Sequence, residues 1–149
     1  MSVNDSTPST TTLYTLNFTA NNTSHTLNFG FQNENNREYY LDSVSVQAVS
    51  APGIELLTNG DFENSSALAT GWSQSCTYSC GASPPGNVTN SGSCASGNCF
   101  IDGCEASSGI DFLSQTFLTT IGQVYTISFQ LFLGGGGTTS ANAFFVDIF

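Results

Sequence analysis

Apolar residues in this chain recur at every second position in short runs, and almost nowhere at the three- and four-residue spacing of a helix. Residues 142–149, NAFFVDIF, show this most clearly. Phe144, Val146 and Ile148 fall on one side and Phe145, Asp147 and Phe149 on the other, which predicts a buried strand. Similar runs rich in Thr, Val, Ile, Phe and Tyr predict strands over 13–18, 25–31, 39–49, 54–57, 71–75, 112–118, 124–133 and 143–149. Turn formers separate them: 33–36 reads as a turn, Pro52 and Gly53 as a linker or hairpin, and 134–137 as a glycine connection before the last strand. Short strands punctuated in this way predict an all-β fold, a sandwich or jelly roll of about eight strands.

A terminal strand as apolar as 143–149 carries backbone donors and acceptors that must be paired, since an exposed apolar edge recruits another chain. Assembly is therefore expected before any chemistry. With 149 residues, 39% of them hydrophobic, one core of ordinary size can be filled. Arg37 is the only Lys or Arg and the net charge is −10. One arginine cannot neutralise a run of phosphates, which argues against nucleic acid and against anionic membrane surfaces as partners. No apolar run reaches the roughly 18 residues needed to cross a bilayer.

N-x-S/T sequons at Asn4, Asn17, Asn21, Asn22, Asn64 and Asn87 are candidate N-glycan sites, those at Asn21 and Asn22 overlapping. Cys76, Cys80, Cys94, Cys99 and Cys104 lie in a Gly-, Ser-, Pro- and Asn-rich stretch, 76–104, expected to be a loop held by disulfides rather than a packed strand pair. Their spacings match no standard zinc pattern, and five leaves one thiol over or bonded to another chain. Sequons and cysteines together point to a secreted, extracellular protein. The opening MSVNDSTPST has neither a basic nor an apolar signal-peptide region, so the expectation is either that the signal lies outside this segment or that Met1 is not the true start of the precursor.

Residues 57–72, LTNGDFENSSALATGW, resemble the opening of galactose-binding-like jelly-roll domains, the group that includes many carbohydrate-binding modules. Such domains continue with a strand like 112–117 and a G-Q-x-Y-T-I-S-F strand, here 122–129. They close with F-T-A, L-x-F-G-F and Y-L-D-x-V-S-V elements, which are similar to 18–20, 27–31 and 40–46. In this chain the closing elements come first. The resemblance implies that 1–50 is the C-terminal half of a jelly roll, 51–58 a linker, and 59–149 an N-terminal half. Either the chain folds back at Pro52 and Gly53 into one circularly permuted domain, or each half is completed by strands from a neighbouring subunit, an open head-to-tail exchange that runs on into a fibre. The second arrangement is favoured.

The resemblance also implies a structural calcium held by Glu63 and Asp42, with Asp61 nearby; the alternative is that Asp42 and Asp61 bond only to local backbone amides. Catalysis is not expected. His25, the only histidine, has no nucleophile elbow around it and is placed in a polar turn, and no two carboxylates are set across a cleft. Sugar binding would need aromatic platforms, for which Trp72, Tyr78, Tyr39 and Tyr40 are candidates, Trp72 being expected in the core. Two readings follow. The first is a structural subunit of a secreted, N-glycosylated fibre that binds copies of itself through Phe144, Phe145, Val146, Ile148 and Phe149. The second is a carbohydrate-binding module, monomeric or within a larger extracellular protein.

Overall fold

The computed structural model describes residues 2–4, 9–33, 37–65, 67–77, 86–103, 109–136 and 142–149. Ten strands are described: β1 (Ser2–Asn4), β2 (Thr12–Thr19), β3 (Ser24–Gln32), β4 (Arg37–Ala48), β5 (Ser73–Thr77), β6 (Asn87–Thr89), β7 (Cys99–Ile101), β8 (Ile110–Leu118), β9 (Val124–Gly135) and β10 (Ala143–Ile148). They form two five-stranded sheets, ordered β1-β10-β3-β8-β5 and β2-β9-β4-β7-β6, in which every pairing is antiparallel. Alternating burial along β2, β3, β8 and β9 turns one face of each sheet inward, as the two-residue period predicts. The protein is an all-β sandwich.

The inner faces meet through aromatic rings. Phe29 of the first sheet lies edge-on to Phe129 of the second at 5.3 Å between centroids, and Phe31 packs on Tyr39 at 6.1 Å. On the outer faces, two glycines are roofed by neighbouring rings. Phe112 and Phe145, both in register with Gly30, close over it, and Tyr40 and Phe132 close over Gly134. A glycine leaves room for a flat ring to lie on the backbone, so these positions retain apolar cover without a side chain of their own.

Strands from residues 1–50 and from 59–149 interleave in both sheets. Within one chain, therefore, neither half has a sheet to itself. The joining segment is a tight return: Ala51 N–H donates to the Ala48 carbonyl and Gly53 takes φ +91°. Beyond it, 54–57 runs back along β4 without forming the expected strand. Glu55 explains why. Its carboxylate accepts from the N–H groups of Val46, Leu56 and Leu57 and from the Ser45 hydroxyl, leaving one backbone bond, Leu56 N–H to the Val46 carbonyl at 3.0 Å, between the two segments.

The stretch 76–104, expected as an irregular loop, contributes a small strand pair instead. β6 and β7 pair through Asn87 with Ile101, Val88 with Phe100 and Thr89 with Cys99, and extend the second sheet beyond β4. Phe100 is buried against Phe31 and Phe62. One large ring is enough to anchor a three-residue strand that composition alone disguises.

Phe144, at the centre of the aromatic cluster, is fully buried, whereas Phe149 is largely exposed. Phe144→Ala is expected to lower the unfolding free energy by about 3–5 kcal/mol, the range for deleting a buried ring. Phe149→Ala should stay within about 0.5 kcal/mol. Urea denaturation of both variants checks the pair.

Candidate functional site

The element that sequence reasoning assigns to assembly is β10, and its surroundings form a slot. On one side Ala143 to Ile148 pair in full with Gln32 to Leu27 of β3; on the other, Ala143 to Phe145 pair with Asn4 to Ser2 of β1. Phe149 continues the ladder, its carbonyl accepting from Thr26 N–H at 2.9 Å and its own N–H donating to the Thr26 carbonyl at 3.3 Å. Phe144 fills the slot's floor, with ring centroids 5.3–5.8 Å from Phe31, Phe129, Phe29 and Tyr39. Val146 is buried beside it, and Phe145 and Ile148 are half-buried. His25 belongs to β3 rather than to a turn. Its ring is buried edge-on to Phe18, with Nδ1 3.2 Å from the Phe149 carbonyl, so it packs against the end of the slot.

The opening motif lies at a different place. β4 is interrupted between Asp42 and Ser45, where Ser43 takes φ +52°, and Val44 N–H donates to the Gly60 carbonyl. Asn59 and Phe62 also take positive φ, so the N-G-D-F-E segment makes a compact turn that seats Phe62 in the core against Trp72 and Phe100. Trp72 is a core residue, as expected, and its Nε1–H donates to the Asn59 carbonyl. Gly60 has no room for a side chain, because a Cβ there would sit 2.0 Å from the Val44 carbonyl oxygen.

Asp42 and Glu63 both reach one loop, 94–98, which the Cys94–Cys99 disulfide closes. Ser96 N–H donates to Asp42 Oδ2 at 2.9 Å and Asn98 N–H to Glu63 Oε1 at 2.7 Å, while Asp42 Oδ1 accepts from Ser43. Burial pushes the Asp42 carboxyl up, and these N–H donors oppose the shift. Asp61 stands apart in a groove of about 430 Å³ with Ser43, Glu55, Asn59 and Asn64. Among the described residues no three of His, Cys, Asp and Glu come together as metal ligands. The Asp42 and Glu63 carboxylates accept from amide hydrogens of Ser43, Ser96 and Asn98.

A second group of acids, which the sequence did not single out, comprises Asp102, just after β7, and Asp111 in β8. Asp102 and Asp111 are buried, and Asp102 accepts from Tyr39 N–H and from Asn33 Nδ2. Burial, with Asp111 and Glu38 adding like charge, raises the Asp102 carboxyl well above the usual carboxylate range, against the pull of the Tyr39 and Asn33 donors.

Of the proposed sugar platforms, Tyr39 is in the core, whereas Tyr40 is half-buried on an outer face, 5.7 Å from Phe132. The Tyr40 hydroxyl donates to Glu38, and burial together with that carboxylate pushes its pKa up to about 12. Tyr78, Cys80 and Cys104 lie outside the described residues, as do the side chains of Asn4 and Cys76. The sequon residues Asn17, Asn21, Asn22, Asn64 and Asn87 are all exposed. No helix of the described residues is long and apolar enough to cross a membrane. A disulfide is consistent with an oxidising setting. Comparison with protein-family models, with curated proteins and with solved structures finds no match to this chain.

Gly60→Ala should destabilise the fold at the upper end of the roughly 1–3 kcal/mol of ordinary overpacking, because the atom met is backbone. Gly92→Ala, with nothing within 4 Å of its Cβ, should be near neutral, and thermal unfolding of the two separates them. The raised Asp102 pKa fixes the sign of a pH effect: the folded state holds that proton more tightly than the unfolded state. Stability from Asp102 is complete below the unfolded carboxyl value of about 4 and is lost as pH rises through the folded value. In Asp102→Asn the new amide can donate to Asn33 Oδ1 once the Asn33 amide turns over. Urea unfolding in metal-free buffer should therefore find this variant more stable than wild type at neutral pH, with the gap closing toward about pH 4.

Proposed function

We propose that the chain is the structural subunit of a secreted, N-glycosylated extracellular fibre, assembled head to tail by exchange of the β10 strand between copies. The observation that carries the reading is the slot itself. The strand whose Phe144 completes the aromatic core follows a glycine run, 134–137, whose first two residues end β9, and it pairs along its whole length with β3. A strand with this much core surface can occupy the same slot in a neighbour with every backbone bond retained. Exchange that does not close on itself propagates.

The end of the sandwich where Phe149 emerges supports the same reading. Ile54 and Leu118 are exposed there and line a cavity of about 250 Å³, and Val49, Ile121 and Val124 are exposed as well. Exposed apolar side chains of this kind suit contact with the next subunit. A galactose-binding-like jelly roll remains the fold family proposed for the chain, on the strength of its motifs.

A second reading, a carbohydrate-binding module, rests on the half-buried Tyr40 and Phe132 rings, a surface on which a sugar ring can stack. The two readings are separated by sedimentation and electron microscopy of the full chain and of a chain ending at residue 141. Fibres from the full chain, none from the shortened chain, and capture of a 142–149 peptide by the shortened chain are the expected results. Discrete particles of monomer size from the full chain, with a melting temperature that rises on adding oligosaccharide, would overturn the fibre in favour of the binding module.

A further inference from the structure

β2 is the outermost strand of its sheet, paired with β9 on one side and with no strand on the other among the described residues. Its eight residues make it longer than the other three edge strands, β1, β5 and β6, which have three, five and three. Two contacts just beyond it show which way its backbone groups point. Ala20 N–H donates to the Gln123 carbonyl, and Val49 N–H donates to the Val124 carbonyl on the β4 side. Since bonding direction alternates along a strand, Thr12, Tyr14, Leu16 and Phe18 bond to β9, whereas Leu13, Thr15, Asn17 and Thr19 direct their N–H and carbonyl groups outward.

A free edge is ordinarily protected by a charge, a proline, a bulge or a short span. β2 has none of these, and its register with β9 is unbroken. What the strand carries instead points to a second copy. From 6 to 33 the sequence holds no Asp, Glu, Lys or Arg, and β9 holds none either, so two chains of charge −10 can bring these edges together with no acid in either strand at the contact. Tyr14, Leu16 and Phe18 pack on the core yet remain half-exposed. Their order, an aromatic ring, a leucine and an aromatic ring at every second residue, reads the same in both directions. We propose that two copies of this chain join through β2, antiparallel about a two-fold axis at Leu16.

Only residues whose groups point outward can form the bonded pairs, and an axis at Leu16 bonds Thr15 to Asn17 of the partner subunit and Leu13 to Thr19 of the partner subunit. On the inner face Tyr14 then stands opposite Phe18 of the partner subunit, and Leu16 opposite its own counterpart. The half-exposed apolar row becomes continuous across the axis. Such a contact uses the same surface on both copies and closes as a pair. The Asn17 side chain leaves the outer face, where Thr126 Oγ1 donates to it at 2.8 Å, so a glycan there projects away from the apolar row. β10 lies in the other sheet, so one chain can exchange β10 and pair through β2 at once, which joins fibres side by side.

Hydrogen exchange of the full, unmodified chain tests the pairing. The amides of Leu13, Thr15, Asn17 and Thr19 are expected to exchange about fivefold more slowly at a chain concentration about ten times the dimer Kd than at high dilution, since mass action then leaves about a fifth of the chains unpaired. Leu16→Cys should give a dimer on mild oxidation, with mass spectrometry placing the disulfide between the two introduced thiols, because facing residues in a non-bonded pair stand about 4.5 Å apart between Cα atoms. Leu13→Cys, which faces Thr19 of the partner subunit, should not. Thr15→Pro, which removes an outward N–H and no bond to β9, should abolish the concentration dependence while the variant still unfolds cooperatively. Exchange at the four amides that stays constant from about 1 μM to about 1 mM chain would overturn the proposal. A cross-link from Leu13→Cys equal to that from Leu16→Cys would also overturn it, by showing another register or chance collision. Concentration-dependent protection of these amides in a chain that forms no fibres would remove β10 exchange and leave the β2 contact standing.

Discussion

The contact on which the rest of the sandwich depends is the meeting of Phe29, Phe129 and Phe144 between the sheets, at 5.3–5.8 Å between ring centroids. Each ring comes from a different strand, and only β10 supplies the third. Without it, β1 has no neighbour and the inner faces of β3 and β9 lose the ring that holds them at a fixed spacing. Aromatic pairs in tilted and edge-on geometries contribute more than their buried area alone, so the cluster fixes orientation as well as supplying hydrophobic free energy. Around it, every polar device acts to let the sheets approach. The Glu55 carboxylate takes up the N–H groups of a segment that is not a strand, the Gln115 side chain donates to and accepts from the backbone of Thr58, and Gly60 admits the Val44 carbonyl at close range.

Most of the larger elements were legible in the amino-acid order because their physics is local. Alternation along 13–18, 25–31, 112–118, 124–133 and 143–149 reports which side chains turn inward, and the structure places strands over all five. β4 was equally plain. The short strands were not, since three residues cannot display a period; Val88 and Phe100 were the sole signals in a stretch dominated by Gly, Ser and Cys. The 54–57 run misled because its apolar residues read as a strand, whereas the Glu55 carboxylate takes up most of the N–H groups that a ladder would pair.

The site residues divide in the same way. The turn at Asn59 to Glu63 and the core position of Trp72 follow from motif and residue type, and the structure brings Asp42 and Glu63 to one disulfide-closed loop. What could not be read was the partner each acid would find, because a loop amide has no signature in sequence. The burial of Asp102 and Asp111 was hidden for a related reason. They are separated along the chain, and only the docking of β7 beyond β4 removes both from water.

The pairing of β1 with β10 and of β2 with β9 has a consequence for how the molecule is made on the ribosome. Partners more than a hundred residues apart cannot meet until the later of the two has been synthesised, so β2, β3 and β4 emerge with their apolar faces open and must wait. The nascent chain is at its most vulnerable to mispairing during that interval. The interval closes only when the segment carrying Phe144 leaves the exit tunnel.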